Sequence, residues 1–319
     1  MKKRGYLPGE LIRYSEHRPG LNDWTGAHVL LHLDSFCLGD TICFSAYLDQ
    51  FILHHRPRRV TVSTFFPELL ISCHHTVTIA SAYRQEGHPD EIHADVLVTV
   101  GYDKGNLDHT LGGMSWAVKD SMRIPHNTQI GKPWVVPRWR QKIPGKISIA
   151  PESLKKIAMW EWRGSEGWQS VIDELQGIGF SVHSVSYENT LGLERLAGNH
   201  HSNSDLTAAL DHILESELFI GLSSGLAWLA WAYEIPVVMI AGFTKEHNEF
   251  PCHRVMELKA CTGCFNTFMN IATSCPLFEG THRENECHTR ISPDLVMSAV
   301  RNALSQIRGD ELNDTSLHV

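Results

Sequence analysis

The chain has 319 residues and a mass of 35.9 kDa, more than one hydrophobic core comfortably serves, so two domains of roughly 150 residues each are expected. Hydrophobic residues at 42% and charged residues at 20% exclude a disordered chain, and a formal net charge of −8 argues against a non-specific binder of nucleic-acid backbone. The basic start MKKRGYLPGELIRY is interrupted by Gly5, Pro8, Gly9 and Glu10, where a secretory signal would be apolar. The most apolar window, LAWLAWAYEIPVVMIAG, is broken by Tyr233, Glu234 and Pro236, so neither a signal nor a membrane span is expected and a cytoplasmic location follows.

In chain order, AHVLLHL (Ala27 to Leu33) reads as a buried strand, followed by the loop DSFCLGD and a helix over TICFSAYLDQFILHH. RRVTVSTF and ADVLVTVGY (Ala94 to Tyr102) read as further strands. Strands and helices alternating at this spacing predict parallel βαβ units in an α/β fold. The proline-rich connection GKPWVVPRWRQKIPGK then separates two halves, placed at 1–142 and 143–319. In the second half KISIAPES, FSVHSVS, LFIGL and PVVMIAG read as strands. WQSVIDELQGIG, SDLTAALDHILESE and SGLAWLAWAY read as helices, with Ser204 as N-cap of the second. Ser292 and Pro293 open a last helix bearing Val296, Val300, Leu304 and Ile307 on one side.

Half of the chain's eight cysteines fall between positions 261 and 287. Cys261 and Cys264 form a C-x-x-C turn eased by Gly263, and Cys275 and Cys287 complete a set of four. Reduced thiols in this pattern predict a metal-binding loop, placed at 252–290, that a structural iron or zinc ion would hold together. Four thiolates leave no open coordination position, so the ion is expected to be structural. Cys252 and His288 are substitute ligands, and Cys37, Cys43 and Cys73 are expected to pack as small apolar side chains. The 20 histidines stand mostly singly or in adjacent pairs whose side chains diverge, which does not make a chelating pair.

Chemistry is expected at the loops that follow strands. Ser223, Ser224 and Gly225 lie where a strand ends and a helix starts, a place that accepts a diphosphate on free N–H groups, hydroxyls and the helix dipole. Lys156 lies shortly after KISIAPES, at the C-terminal edge of the same sheet, and would neutralise a pyrophosphate leaving group. Asp34 and Asp40, in LHLDSFCLGDTI, offer a carboxylate to deprotonate an acceptor hydroxyl, although Asp40 reads equally as a helix N-cap. Glu188 and Asn189 are candidates for the nucleoside.

Four stretches carry a family resemblance: LGDTI from Leu38; PESLKKIAMW from Pro151; FIGLSSGLAWLAWA with VVMIAGFT; and the cysteine segment with ENEC and ISP. Together they resemble the bacterial autotransporter heptosyltransferases, a branch of the lipopolysaccharide heptosyltransferases. The resemblance implies the GT-B fold, two facing Rossmann-like domains, here with an inserted cysteine loop. It implies an acceptor-side first domain and a nucleotide-sugar-binding second one. It implies Asp40 as general base, with Asp34 the second choice. Lys156, with Ser153 beside it, would contact donor phosphate; Ser223, Ser224, Gly225 and Leu226 would hold the diphosphate; and Cys261, Cys264, Cys275 and Cys287 would bind iron. The reaction implied is inverting transfer of heptose from ADP-heptose to serine or threonine hydroxyls of a protein, by a homo-oligomeric enzyme. Two alternatives stand beside it. One is a glycosyltransferase acting on hydroxymethylated bases of phage-type DNA, which the basic run Arg56 to Arg59 would assist. The other is a non-catalytic nucleotide-sugar or metal-binding partner subunit.

Overall fold

The computed structural model describes residues 13–14, 24–82, 91–101, 113–151, 162, 167–185, 206–265 and 275–314. The chain divides into two compact units, Met1–Pro137 and Arg138–Val319. Among the described residues no helix is long and apolar enough to cross a membrane.

In the first unit, β1 (Arg13–Tyr14) pairs in parallel with β5 (Glu91–Ile92) as a separate two-stranded ribbon. The main sheet contains β2 (His28–Leu33), β3 (Arg59–Thr64), β4 (Val77–Ser81) and β6 (Val96–Val100), all parallel, in the order β4-β3-β2-β6. β2 (HVLLHL) and β6 (VLVTV) read as largely apolar runs because parallel strands are covered on both faces, while β3 (RVTVST) alternates and is buried on both faces all the same after Arg59. Val29, Leu30, Leu31 and Leu33 of β2 are wholly buried, each worth about 1.5–3 kcal/mol relative to exposure.

The single helix expected over TICFSAYLDQFILHH is two: α1 (Leu38–Ser45) and α2 (Leu48–His55). The break has a local cause. Ser45 donates its hydroxyl back to the carbonyl of Ile42 at 2.8 Å, and Ala46 and Tyr47 close tighter turns onto Cys43 and Phe44. A left-handed Arg56 (φ 48°) then ends α2. β4 carried no strand signal in the sequence reading, since TVTIAS follows a polar His-His-Thr turn. α3 (Gly113–Ser121) packs against β6 and α1. Of the three cysteines expected to be packed, Cys43 is buried, but Cys37 and Cys73 are exposed.

The second unit holds β7 (Lys146–Ala150), α4 (Gly167–Gly177), β8 (Ser181–Ser184), α5 (Leu206–Leu214), β9 (Leu218–Leu222), α6 (Gly225–Ala232), β10 (Val237–Ile240), β11 (His253–Val255), α7 (Glu286–Thr289) and α8 (Pro293–Asp314). Its parallel sheet has the order β11-β10-β9-β7-β8. α4 and α8 bury Trp168, Val171, Ile172, Val296 and Val300 against Ile147, Ile149 and Ile220 of this sheet. Ser292 starts α8 by accepting the Leu295 N–H on its hydroxyl at 3.3 Å. The proposed N-cap Ser204 lies outside the described residues. The loop placed at 252–290 takes in β11, which continues the sheet before the cysteine segment starts.

Strand order locates the sites. In the first sheet the chain runs outward from β2 through β3 to β4, then returns to place β6 on the other side of β2. In the second it goes from β7 to β8, then places β9 on the opposite side of β7. Each reversal opens a crevice at the C-terminal strand ends, the position where open α/β sheets bind ligands.

Candidate functional site

At the first switch point the chain leaves β2 at Leu33, and the Asp34 N–H still donates to the Val100 carbonyl of β6 at 2.8 Å. Asp34 is exposed and Asp40 half-buried. The N-cap of α1 is Cys37, with extended backbone, so Asp40 is not the cap but an acidic residue of the first helical turn. There its carboxylate faces the positive end of the helix. Ser35, itself buried, donates its hydroxyl to Asp40 and accepts the Cys37 N–H at 3.2 Å. This serine ties the loop to the carboxylate and limits the rotamers open to Asp40. The sequence reading missed Ser35, whose signal was the spacing of a small hydroxyl residue five positions before the aspartate.

At the second switch point β9 ends at Leu222, and Ser223 and Ser224 turn the chain into α6. Ser224 is the N-cap residue, in extended conformation (φ −139°, ψ 171°), with its carbonyl accepting the Ala227 and Trp228 N–H groups at 3.1 and 3.2 Å. Its own hydroxyl caps nothing: Ser224 Oγ is buried and has no hydrogen-bond partner among the described residues. By helix geometry the N–H groups of Gly225 and Leu226 lack intrahelical carbonyls. The first turn of α6 carries no acidic residue. A buried orphan hydroxyl costs about 1–3 kcal/mol, and an oxyanion accepting from it and from the neighbouring amides removes that cost.

Ser223 is placed differently. It is buried, and unlike Ser224 Oγ its hydroxyl is not left orphaned. β7, the neighbour of β9, ends with Ala150 opposite Gly221. Lys156 and Ser153 belong to the segment after Pro151 but lie outside the described residues, as do Glu188 and Asn189.

The cysteine segment packs at the end of β10. The Gly263 N–H donates to the Gly242 carbonyl and the Phe265 N–H to the Phe243 carbonyl, both at 3.1 Å. Gly263 has φ +75°, the left-handed turn the C-x-x-C pair needs. Cys264, Cys275 and Cys287 are buried and Cys261 is partly exposed. Burial, reinforced by the neighbouring thiols, pushes Cys264 up to about 11 and Cys287 up to about 12. By their chemistry alone, soft thiols of this kind suit a thiophilic ion. No group of three or more His, Cys, Asp or Glu stands in a chelating arrangement among the described residues, and the segment 266–274 between Cys264 and Cys275 lies outside them.

No family model matches the chain. By sequence it is 28% identical over 309 residues to the autotransporter heptosyltransferase Aah of Escherichia coli, covering 88% of this chain and 75% of that protein. Identity rises to 34% over 172 residues with the autotransporter heptosyltransferase TibC of Escherichia coli O78:H11, covering 50% of this chain and 41% of TibC. The inactive autotransporter heptosyltransferase BimC of Burkholderia thailandensis is 30% identical over 168 residues, or 49% of this chain and 39% of BimC. The crystal structure of TibC, described as iron-containing and dodecameric, superposes with a TM-score of 0.75 at 22% identity, over 89% of this chain and 78% of TibC. TibC in complex with ADP-D-β-D-heptose gives a TM-score of 0.72 at 21% identity, over 91% of this chain and 81% of TibC. The chain is thus homologous to the autotransporter heptosyltransferases, glycosyltransferases of the GT-B fold.

Proposed function

We propose that the protein transfers a heptose from ADP-heptose to an acceptor hydroxyl with inversion at the anomeric carbon. The observation that carries this reading is the buried, partnerless Ser224 hydroxyl at the acid-free N-terminus of α6, on a sheet switch point. The complex of TibC with ADP-D-β-D-heptose supports the choice of donor.

In this reading the donor diphosphate accepts hydrogen bonds from Ser224 Oγ and from the Gly225 and Leu226 amides. Lys156 and Ser153 join them, and Ser223 shapes the turn from behind. These groups favour the charge that develops as ADP departs. The acceptor oxygen attacks the anomeric carbon from the face opposite the phosphate. As the new C–O bond forms and the bond to the diphosphate oxygen breaks, Asp40 takes the acceptor's proton. Asp34 is the second candidate for that base. The first unit serves the acceptor and the second the donor. Cys261, Cys264, Cys275 and Cys287 are the residues that would hold a structural iron or zinc ion, whose role is to fasten their loop. The acceptor proposed is a protein serine or threonine hydroxyl, and the enzyme a cytoplasmic homo-oligomer.

Incubating the purified protein with ADP-heptose and a candidate acceptor protein, followed by intact-mass spectrometry, tests the reading. Addition of one heptose mass per modified hydroxyl is the expected result. Loss of transfer in Asp34→Asn with retention in Asp40→Asn would reassign the base. The homology to an inactive heptosyltransferase favours one second reading, a partner subunit that binds the sugar nucleotide without turning it over. ADP-heptose binding without transfer or donor hydrolysis, across acceptors, would select it.

A further inference from the structure

Glu286 takes no part in the chemistry above, yet its side chain is only 6% exposed, at the start of α7. One carboxylate oxygen accepts the Cys261 N–H at 2.9 Å, across 25 positions of sequence. Arg283 grips the same carboxylate with two donors, Nη2 on that oxygen at 2.5 Å and Nε on the other at 3.1 Å. The Arg283 guanidinium also lies over the Phe278 ring, 4.0 Å from its centroid. Arg290 stands 3.9 Å from the second carboxylate oxygen and donates to the Lys259 carbonyl at 3.4 Å.

These contacts join three pieces of chain that each carry a cysteine. Cys261 opens the C-x-x-C turn, Cys275 lies three residues before Phe278, and Cys287 follows Glu286. Gly242 is a second link between the first and third pieces. Its carbonyl accepts the Gly263 N–H at 3.1 Å, and a Cβ on it would lie 1.8 Å from the Cys287 carbonyl oxygen. Among the described residues between β11 and α8, the four-residue α7 is the only regular element, so helix and sheet hydrogen bonds do little to fix the path of the chain there.

The charges fit this place. Thiols must ionise to hold an ion, and a carboxylate beside them opposes that. Arg283 and Arg290 outweigh Glu286, so the group binds the chain together without repelling thiolates. The two-pronged grip of Arg283 also restricts the carboxylate to one geometry, which keeps its oxygen aimed at Cys261.

We propose that Glu286 is a positioning residue for the cysteine loop. With Arg283 it holds the C-x-x-C turn, the Cys275 segment and Cys287 in register before any ion arrives. An ion then meets a partly assembled site instead of having to order the loop itself. The use of the loop for a metal rests on the functional reading above; the clasp does not.

The test is alkylation of the reduced, chelator-treated full chain by N-ethylmaleimide, followed cysteine by cysteine with peptide mass spectrometry. Wild type, Glu286→Ala, Glu286→Gln and Arg283→Gln are compared. Exposed Cys37 and Cys73 and buried Cys43, all in the first unit, serve as internal references. Cys264, Cys275 and Cys287 are expected to react about tenfold faster in Glu286→Ala, the loss typical of a hydrogen bond to a charged group, with the three references unchanged. Glu286→Gln keeps an acceptor for the Cys261 N–H and is expected to recover part of the protection. Zinc loaded into each protein is expected to pass to a competing chelator in the same order, fastest from Glu286→Ala. Should the alanine variant fail to fold, the glutamine and Arg283 variants carry the comparison. Equal rates at the three cysteines in wild type and variants would overturn the inference. So would a matching rise at Cys43, which reports loosening of the whole chain. Failure of the wild type to retain zinc or iron would overturn the metal reading, while the alkylation comparison would still decide the clasp.

Discussion

The turn from β2 into α1 and the turn from β9 into α6 are the same device with opposite electrostatics. Each leaves the C-terminal end of a parallel strand at a switch point and enters a helix whose free amides face outward. In the first, the helix already holds an anion of its own: Asp40 sits in the first turn and Ser35 clamps it. In the second, acidic residues are absent from the first turn and a buried hydroxyl stands without a partner. A helix N-terminus that carries its own carboxylate is poorly suited to phosphate but holds a base in place; one without is suited to phosphate. In the proposed function one architecture would thereby serve two roles, and the difference lies in two or three side chains.

The comparison is most sharply broken at the aspartate. Asp40→Asn keeps the shape of the first turn and removes the base, so kcat is expected to fall by about 10²–10⁴ with ADP affinity unchanged, read from initial rates and titration. The reverse exchange makes the second turn resemble the first. Ser224→Asp places a carboxylate at the α6 N-cap, and ADP binding is expected to weaken by about 100-fold or more through like-charge repulsion. Gly242→Ala probes the support beneath the second turn. An added Cβ would lie 1.8 Å from the Cys287 carbonyl oxygen, so backbone must move, at a cost of about 1–3 kcal/mol or more. Thermal unfolding would show the loss, and elemental analysis would show whether bound metal leaves with it. A milder change is Ser35→Ala, which frees the Asp40 rotamer; kcat is expected to drop about tenfold, with the fold retained, as one charged hydrogen bond is lost.

The smallest expected effect belongs to the scaffold of the first unit. Burial raises the Tyr47 phenol from 10.0 to about 12, and its oxygen lies 2.6 Å from the Ser115 hydroxyl. The folded state keeps this proton to higher pH than the unfolded chain does. The stability it contributes is therefore complete below pH 10 and is lost as pH rises through about 12. Tyr47→Phe is expected to cost about 1 kcal/mol at neutral pH and to flatten that alkaline decline, measured by denaturant titration across pH.

What could be read in advance follows from which physics is local. β2 and β9 announce themselves as largely apolar runs and α6 as an apolar helix, because burial on both sides favours apolar residues on both faces. The break between α1 and α2 was hidden, since Ser45 ends the first helix by bonding back to Ile42 rather than through glycine or proline. β11 was hidden for the opposite reason. Three residues, His253–Val255, are too few to show a period, and their pairing with β10 is a tertiary fact. At the site, Ser223, Ser224 and Asp40 could be picked out because strand-to-helix turns are visible in sequence. Ser35 could not, because it acts on Asp40 from the loop before the helix.

β11 also has a meaning for how the chain is made. It is the edge strand that covers β10, and it arrives after every other strand of its sheet. Until residues 253–255 have emerged from the ribosome, β10 presents unpaired backbone to whatever is nearby. Arg254 travels on that same strand, so its bonds to Glu249 and to the Ala241 and Thr244 carbonyls form last. A nascent or truncated product ending before β11 would therefore combine a sticky sheet edge with an unbraced Ala241–Thr244 turn, and quality control would meet it as an aggregation hazard.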